Sequence, residues 1–213
     1  MAKAQFFPLY DTAPRKGFPF LTISLIILNI LIFFWSLNDF ERIIYQYGFI
    51  PANFSFFTIF TCMFLHGGFD HLFGNMWYLW IFGDNVESKL GKMKFLLLYF
   101  LSGYFAAFLH FLVDPTSKIP SIGASGAISG ILGAYLYFFP KEKILSRVGY
   151  TFVHIPAFVV IGFWFLLQLI FGAISLLGFS GSNIAFWAHI GGFLFGFIFS
   201  RFLKKKKKKL FKF

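Results

Sequence analysis

The chain has 213 residues, 58% apolar and 13% charged, with a mean hydropathy of +0.75. Soluble domains carry about 25% charged residues, so a soluble globule, a disordered chain and a disulfide scaffold all fit poorly, and Cys62 is the only cysteine. The net charge of +11 does not read as a nucleic-acid footprint: seven of the nineteen basic residues lie between Arg201 and Leu210, and most others flank apolar runs, as in integral membrane proteins.

About 20 apolar residues cross the hydrocarbon core as a helix. Residues 1–17 form an N-terminal segment, and Phe18 to Leu37 is the first charge-free run. Trp35-Ser-Leu-Asn-Asp39 after it lacks a small-x-small cleavage signature, so the run reads as a retained helix. Ile43 to Phe69 is also uncharged, but Gly48, Pro51, Asn53 and Gly67-Gly68 interrupt it; it reads as a long interfacial first loop, with a seventh span as the alternative. His71 to Gly83, extending toward Leu90, is a second span, Phe95 to Val113 a third and Ile119 to Phe139 a fourth. Val148 to Ser200 has no charge and is too long for one crossing; the turn-like Gly178–Asn183 splits it into spans over 152–177 and 184–203. The sequence therefore predicts an all-α membrane protein, with a six-helix domain over 18–203 and a Lys-rich tail over 204–213.

Six spans put both termini on one side, and that side then holds seventeen of the nineteen basic residues, leaving Arg42 and Lys118 opposite. The positive-inside rule makes that side cytoplasmic. The Lys204–Lys209 run is either an anchor on anionic lipid or a solvated stop-transfer tail.

Polar side chains within spans are costly and point to function. His66, His71, Asn75, His110, Ser125 and His189 all fall at a similar depth near the outer side, while His154 belongs near the cytoplasmic end of the fifth span. Ser125 sits in Gly123-Ala-Ser-Gly126 at the opening of a helix, where free N–H groups favour an anion. That motif alone is weak, since Gly123, Gly126, Gly130, Gly133 and Ala134 also read as a helix-packing face. His189 lies among Ala185, Ala188, Gly192 and Gly196, small residues that admit a close neighbour, most simply the Gly-rich fourth helix. Such an approach would give the Ser125 hydroxyl the base it needs. His71 and Asn75, four apart, share a helix face and read either as paired oxyanion donors or as interhelical glue. No carboxylate lies within the spans, so a Ser-His dyad is the economical reading, with Asp70 and Asp114 as open helpers on the outer side. The histidines lack an i, i+4 pair, and neither a metal nor another cofactor is expected.

From about Phe18 to Phe202 the chain resembles the rhomboid family of intramembrane serine proteases. The motifs occur in order: Tyr47-Gly-Phe-Ile-Pro51, His66-Gly-Gly-Phe-Asp-His71-Leu-Phe-Gly-Asn75, Gly83-Asp-Asn-Val-Glu87, Gly123-Ala-Ser125-Gly126, and Ala188-His189-Ile-Gly-Gly-Phe-Leu-Phe-Gly196. The resemblance implies a six-helix bundle with a water-filled cavity open to the outer face. It implies Ser125 as nucleophile, His189 as general base, His71, Asn75 and the Ser125 N–H as oxyanion hole, and His66 in support. It also implies a fifth helix that moves to admit a transmembrane substrate. Two positions depart from the pattern. Phe57-Thr58 stands where many members have Trp-Arg, and Ser129 stands where some have a tyrosine stacked on the histidine.

The leading expectation is cleavage of peptide bonds in or near transmembrane segments, with membrane proteins and the bilayer as partners and no nucleic acid. A catalytically silent binder of membrane helices and a small transporter are the alternatives. The compact six-helix form suggests a prokaryotic plasma membrane; oligomeric state is open.

Overall fold

The computed structural model describes residues 6–177 and 184–205. Strand β1 (Phe6–Asp11) precedes helix α1 (Phe20–Ser36), α2 (Phe40–Tyr47), α3 (Phe56–Thr61), α4 (Phe69–Leu90), α5 (Lys92–Val113) and α6 (Ser125–Phe138). Strands β2 (Lys143–Val148) and β3 (Thr151–Pro156) follow, then α7 (Ala157–Leu176) and α8 (Phe186–Lys205). Among the described residues four helical stretches are long and apolar enough to cross a membrane: Phe20–Tyr47, Lys92–Val113, Ala157–Leu176 and Phe186–Leu203. Helix α4 has 22 residues but carries Asp70, Asp84, Glu87 and Lys89. Helix α6 has 14 residues, about 21 Å of rise.

The chain is mostly helical, but the all-α expectation needs correction. Strands β1, β2 and β3 form an antiparallel sheet in that order. Pro140 follows α6, and Gly149 (φ +62) opens a two-residue turn that pairs Val148 with Thr151, the geometry glycine favours in a hairpin. The expected fifth span over 152–177 is therefore part strand, and the helix begins only at Ala157. The sheet stands against α4: the Phe7 ring stacks on Trp77, and Trp77 Nε1–H donates to the Pro8 carbonyl at 2.7 Å.

The Gly83–Glu87 motif fastens the N-terminal segment and α1. Arg15 pairs with Asp84 at 2.7 Å, and Asn85 Nδ2 donates to the Ala13 carbonyl. The Glu87 carboxylate accepts the N–H groups of Leu21 and Thr22 and the Thr22 hydroxyl, capping α1 with the negative charge its N-terminus favours. Between Gly48 and Gly68 the longest helix is α3, six residues. Without Trp-Arg, this loop is held by backbone: Phe49 and Ser121 exchange bonds of 3.0 and 2.8 Å, and Phe49 is fully buried.

Helices α5, α6 and α8 form the centre. A Cβ on Gly196 would collide with the Gly130 carbonyl oxygen, one on Gly192 with that of Gly126, and one on Gly133 with that of Phe193. Two helix backbones thus touch directly along a run of small residues. The Lys204–Lys209 run lies almost wholly, and the Gly178–Asn183 turn entirely, outside the described residues.

Candidate active site

Ser125 is the first residue of α6. Gly123, at φ +124, turns the chain into the helix, and its N–H is fixed on the Cys62 carbonyl at 2.9 Å. As the opening residue, Ser125 has an N–H with no carbonyl one turn earlier to accept it. On α8, the close approach of Gly192 to Gly126 sets the facing height. His189 Nε2 comes to 2.8 Å from Ser125 Oγ.

The other ring nitrogen, His189 Nδ1, lies 2.8 Å from Gln168 Oε1 on α7. An amide oxygen only accepts, so Nδ1 carries the hydrogen and Nε2 presents a lone pair to the Ser125 hydroxyl. Trp164, one turn earlier on α7, lies with its ring centroid 6.0 Å from that of His189. Ser129 supplies no ring; its hydroxyl donates to the Ser125 carbonyl at 2.7 Å.

His71 and Asn75 approach the same turn from α4. His71 Nδ1 accepts the Gly67 N–H at 3.2 Å, so its hydrogen sits on Nε2. A Cβ on Gly123 would lie 2.8 Å from His71 Nε2 and 3.7 Å from Asn75 Nδ2, so only glycine leaves both amine edges beside the nucleophile's turn. Asn75 is buried and its Nδ2 has no partner among the described residues. An unpaired buried donor is expensive unless a ligand meets it. A cavity of about 780 Å³ opens here, lined by His71, Asn75, Gly123, Ser125, Trp164 and His189 among others.

His66 stands behind this group, fully buried, with its ring in edge contact with His71 at 5.2 Å. Burial, and next the charge His71 would carry, push its pKa down to about 3. His66 is therefore neutral, a packing support outside the cavity lining. His110 stays on α5 and His154 on β3, where its ring meets Tyr10; neither shares a hydrogen bond with the dyad among the described residues. Asp70 lines the cavity and Asp114 accepts from Thr116; among the described residues neither acid shares a hydrogen bond with His189. Sequence reasoning missed Gln168 and Trp164. Their four-residue spacing was visible, but in an apolar helix nothing in sequence says which face meets the base.

A hydroxyl facing a neutral imidazole, beside three hydrogen-bond donors in a cavity, is equipped for acyl transfer. A family model described as Rhomboid domain matches residues 53–206. "Putative rhomboid protease YdcA" of Bacillus subtilis (strain 168) is 30% identical over 90% of this chain and 92% of that protein. "Rhomboid protein 1, mitochondrial" of Saccharomyces cerevisiae is 29% identical, over 95% of this chain but 58% of its own length. "Rhomboid protease GluP" of Bacillus subtilis (strain 168) is 32% identical over 86% of this chain and 34% of its own length. Match over nearly three quarters of the sequence, joined to apolar helices of crossing length, makes this an integral membrane protein, and the chain belongs to the rhomboid family.

Proposed function

We propose that this protein is an intramembrane serine protease that hydrolyses peptide bonds in or near transmembrane segments of other membrane proteins. The observation that carries the reading is the 2.8 Å approach of His189 Nε2 to Ser125 Oγ at the wall of the cavity. His189 takes the Ser125 proton as Oγ attacks the substrate carbonyl. Negative charge gathers on the carbonyl oxygen and meets the Ser125 N–H, Asn75 Nδ2 and His71 Nε2. His189 then protonates the leaving amine. Water in the cavity hydrolyses the acyl-enzyme, with His189 again as base. A helical substrate must unwind locally, since its peptide carbonyls are hydrogen-bonded and its backbone shielded. Glycine and other weak helix formers near the cut favour this.

In this reading α1, α4, α5, α6, α7 and α8 are the six crossings, and the segment between α1 and α4 lies in the interface. Both termini are cytoplasmic, in a prokaryotic plasma membrane. The test uses purified full-length protein in liposomes with a model single-span substrate and a serine-directed fluorophosphonate. Wild type should cleave and label, and Ser125→Ala should do neither. His189→Ala should lose at least about a thousandfold in turnover. Labelling of Ser125→Ala equal to wild type would overturn the assignment. Tight substrate binding without turnover would favour a silent binder of membrane helices.

A further inference from the structure

Helix α7 is apolar almost throughout, yet it buries an amide, Gln168, at 8% exposure. A buried amide costs free energy unless it is hydrogen-bonded. Here its oxygen accepts from the histidine that faces Ser125.

We propose that Gln168 is a positioning residue that selects the tautomer of His189, so that helix α7 governs whether the base presents a lone pair or a hydrogen to Ser125. The proposal rests on the protease reading above. With hydrogen on Nδ1, Gln168 Oε1 accepts it and Nε2 is free to receive the serine proton. With hydrogen on Nε2, two lone pairs would face each other in this orientation of the Gln168 amide, and Ser125 would meet a donor that cannot act as base. During attack the imidazole becomes a cation, and Nδ1–H keeps donating to an oxygen of partial negative charge. A hydrogen bond to a charged partner is stronger than one between neutral groups.

Among the described residues no other group does this work. Ser129 spends its hydroxyl on the Ser125 carbonyl. The titratable groups facing His189 are His71 on α4 and His110 on α5, and among the described residues neither bonds to its ring. Trp164 completes the hold: it lies one turn before Gln168 on the same face, with its ring near both His189 and Phe193. The edge and the face of the imidazole are thus both supplied by α7, while the nucleophile is supplied by α6.

The test compares Gln168→Met, which keeps length and loses the acceptor, with Gln168→Glu, which keeps an acceptor and adds charge. Cleavage of the single-span model substrate in liposomes gives kcat and KM across pH. Nitrogen-15 NMR of histidine-labelled protein reports which ring nitrogen of His189 carries hydrogen, in the resting wild type and in Ser125→Ala. Gln168→Met should lower kcat about ten- to a hundredfold, leave KM within about twofold, and move hydrogen toward Nε2. Gln168→Glu should recover most of kcat at neutral pH. It should also shift the acid limb to higher pH, because a carboxylate favours imidazolium. Wild-type kcat and tautomer in Gln168→Met would overturn the proposal. So would equal losses in both variants with the tautomer unchanged, which would assign Gln168 to packing. If wild type shows no Ser125-dependent turnover, the protease reading fails, while the NMR signals still decide the tautomer assignment.

Discussion

Helix α8 meets α6 and α7 in two different ways. Along α6 the backbones touch: Gly192 and Gly196 have room for no side chain because the carbonyls of Gly126 and Gly130 occupy that space. Against α7 the contact is made by side chains, with the Phe165 ring stacked on Phe193 at 4.2 Å and Gln168 bonded to His189. The outward face of α7 carries Phe158, Phe163 and Leu166, each about half exposed. A backbone contact has no rotamers to lose, so it fixes the distance between nucleophile and base. A side-chain contact can open and re-form. The separation of Ser125 from His189 is thus a rigid property, and the hold on the far nitrogen is an adjustable one.

The sharpest way to break this contrast is to add one methyl group on each side. Gly196→Ala pushes a Cβ into the Gly130 carbonyl, and α8 can admit it only by moving off α6. Overpacking of this kind costs about 1–3 kcal/mol, and here it also widens the catalytic distance. Fluorophosphonate labelling should fall by at least about a hundredfold, since a small displacement at the reacting groups costs that much. Gly162→Ala on α7 meets open space, with no heavy atom within 4 Å of the new Cβ. It should label like wild type and melt at the same temperature or slightly higher, because alanine is the better helix former. Equal damage from the two variants would erase the distinction.

Asn75→Ala separates chemistry from either contact. Asn75 Nδ2 has no partner among the described residues to lose, so the melting temperature should hold. Loss of one oxyanion donor should lower kcat by about a hundred- to a thousandfold. A variant that melts early instead would make Asn75 a structural tie between helices, and the cavity would lose one of its three donors.

The α6–α8 contact could be read in the sequence because small residues recur at helical spacing from Gly126 to Gly133 and from Ala188 to Gly196. Ser125, His189, His71 and Asn75 were legible for a related reason: they are polar groups at one depth in apolar runs. The start of α6 was legible in the Gly123-Ala-Ser-Gly126 motif but not in the charge count, since a charge-free run begins at Ile119 while the helix waits until Ser125. Gly123 at φ +124 is not helical, and Ser121 is paired with Phe49. The hairpin was hidden by the same criterion. Ile144, Val148, Thr151, Val153 and Ile155 around Gly149 carry a strand signal. Counting charges alone merged its second strand into a span. Gln168 was hidden because its role depends on which face α7 turns to α8, a tertiary fact.

The sheet bears on the adjustable contact, because β3 runs directly into α7. Asp11 on β1 is half-buried; its Oδ1 accepts the Ala13 N–H at 3.3 Å, while Oδ2 is buried without a partner. Burial raises its pKa to about 6 from 3.8, outweighing the opposing influence of the nearby Tyr135 hydroxyl, and the charges of Asp84 and Glu142 add to the rise. The neutral form is therefore favoured in the fold. The stability this group contributes is complete below the unfolded value near 3.8 and is lost as pH rises through about 6. Asp11→Asn is neutral at every pH and keeps an oxygen for Ala13. It should be more stable than wild type at pH 8 by about 1 kcal/mol, with the gap closing by pH 4. Its labelling rate at pH 8 should equal wild type, because Asp11 does not line the cavity that holds Ser125 and the α6–α8 contact is made by glycine backbones. A changed rate would mean that charge on β1 reaches the dyad, either through Tyr135 on α6 or through β2, β3 and α7, and a melting temperature unchanged in the double variant Asp11→Asn, Tyr135→Phe with the rate restored would select the first route.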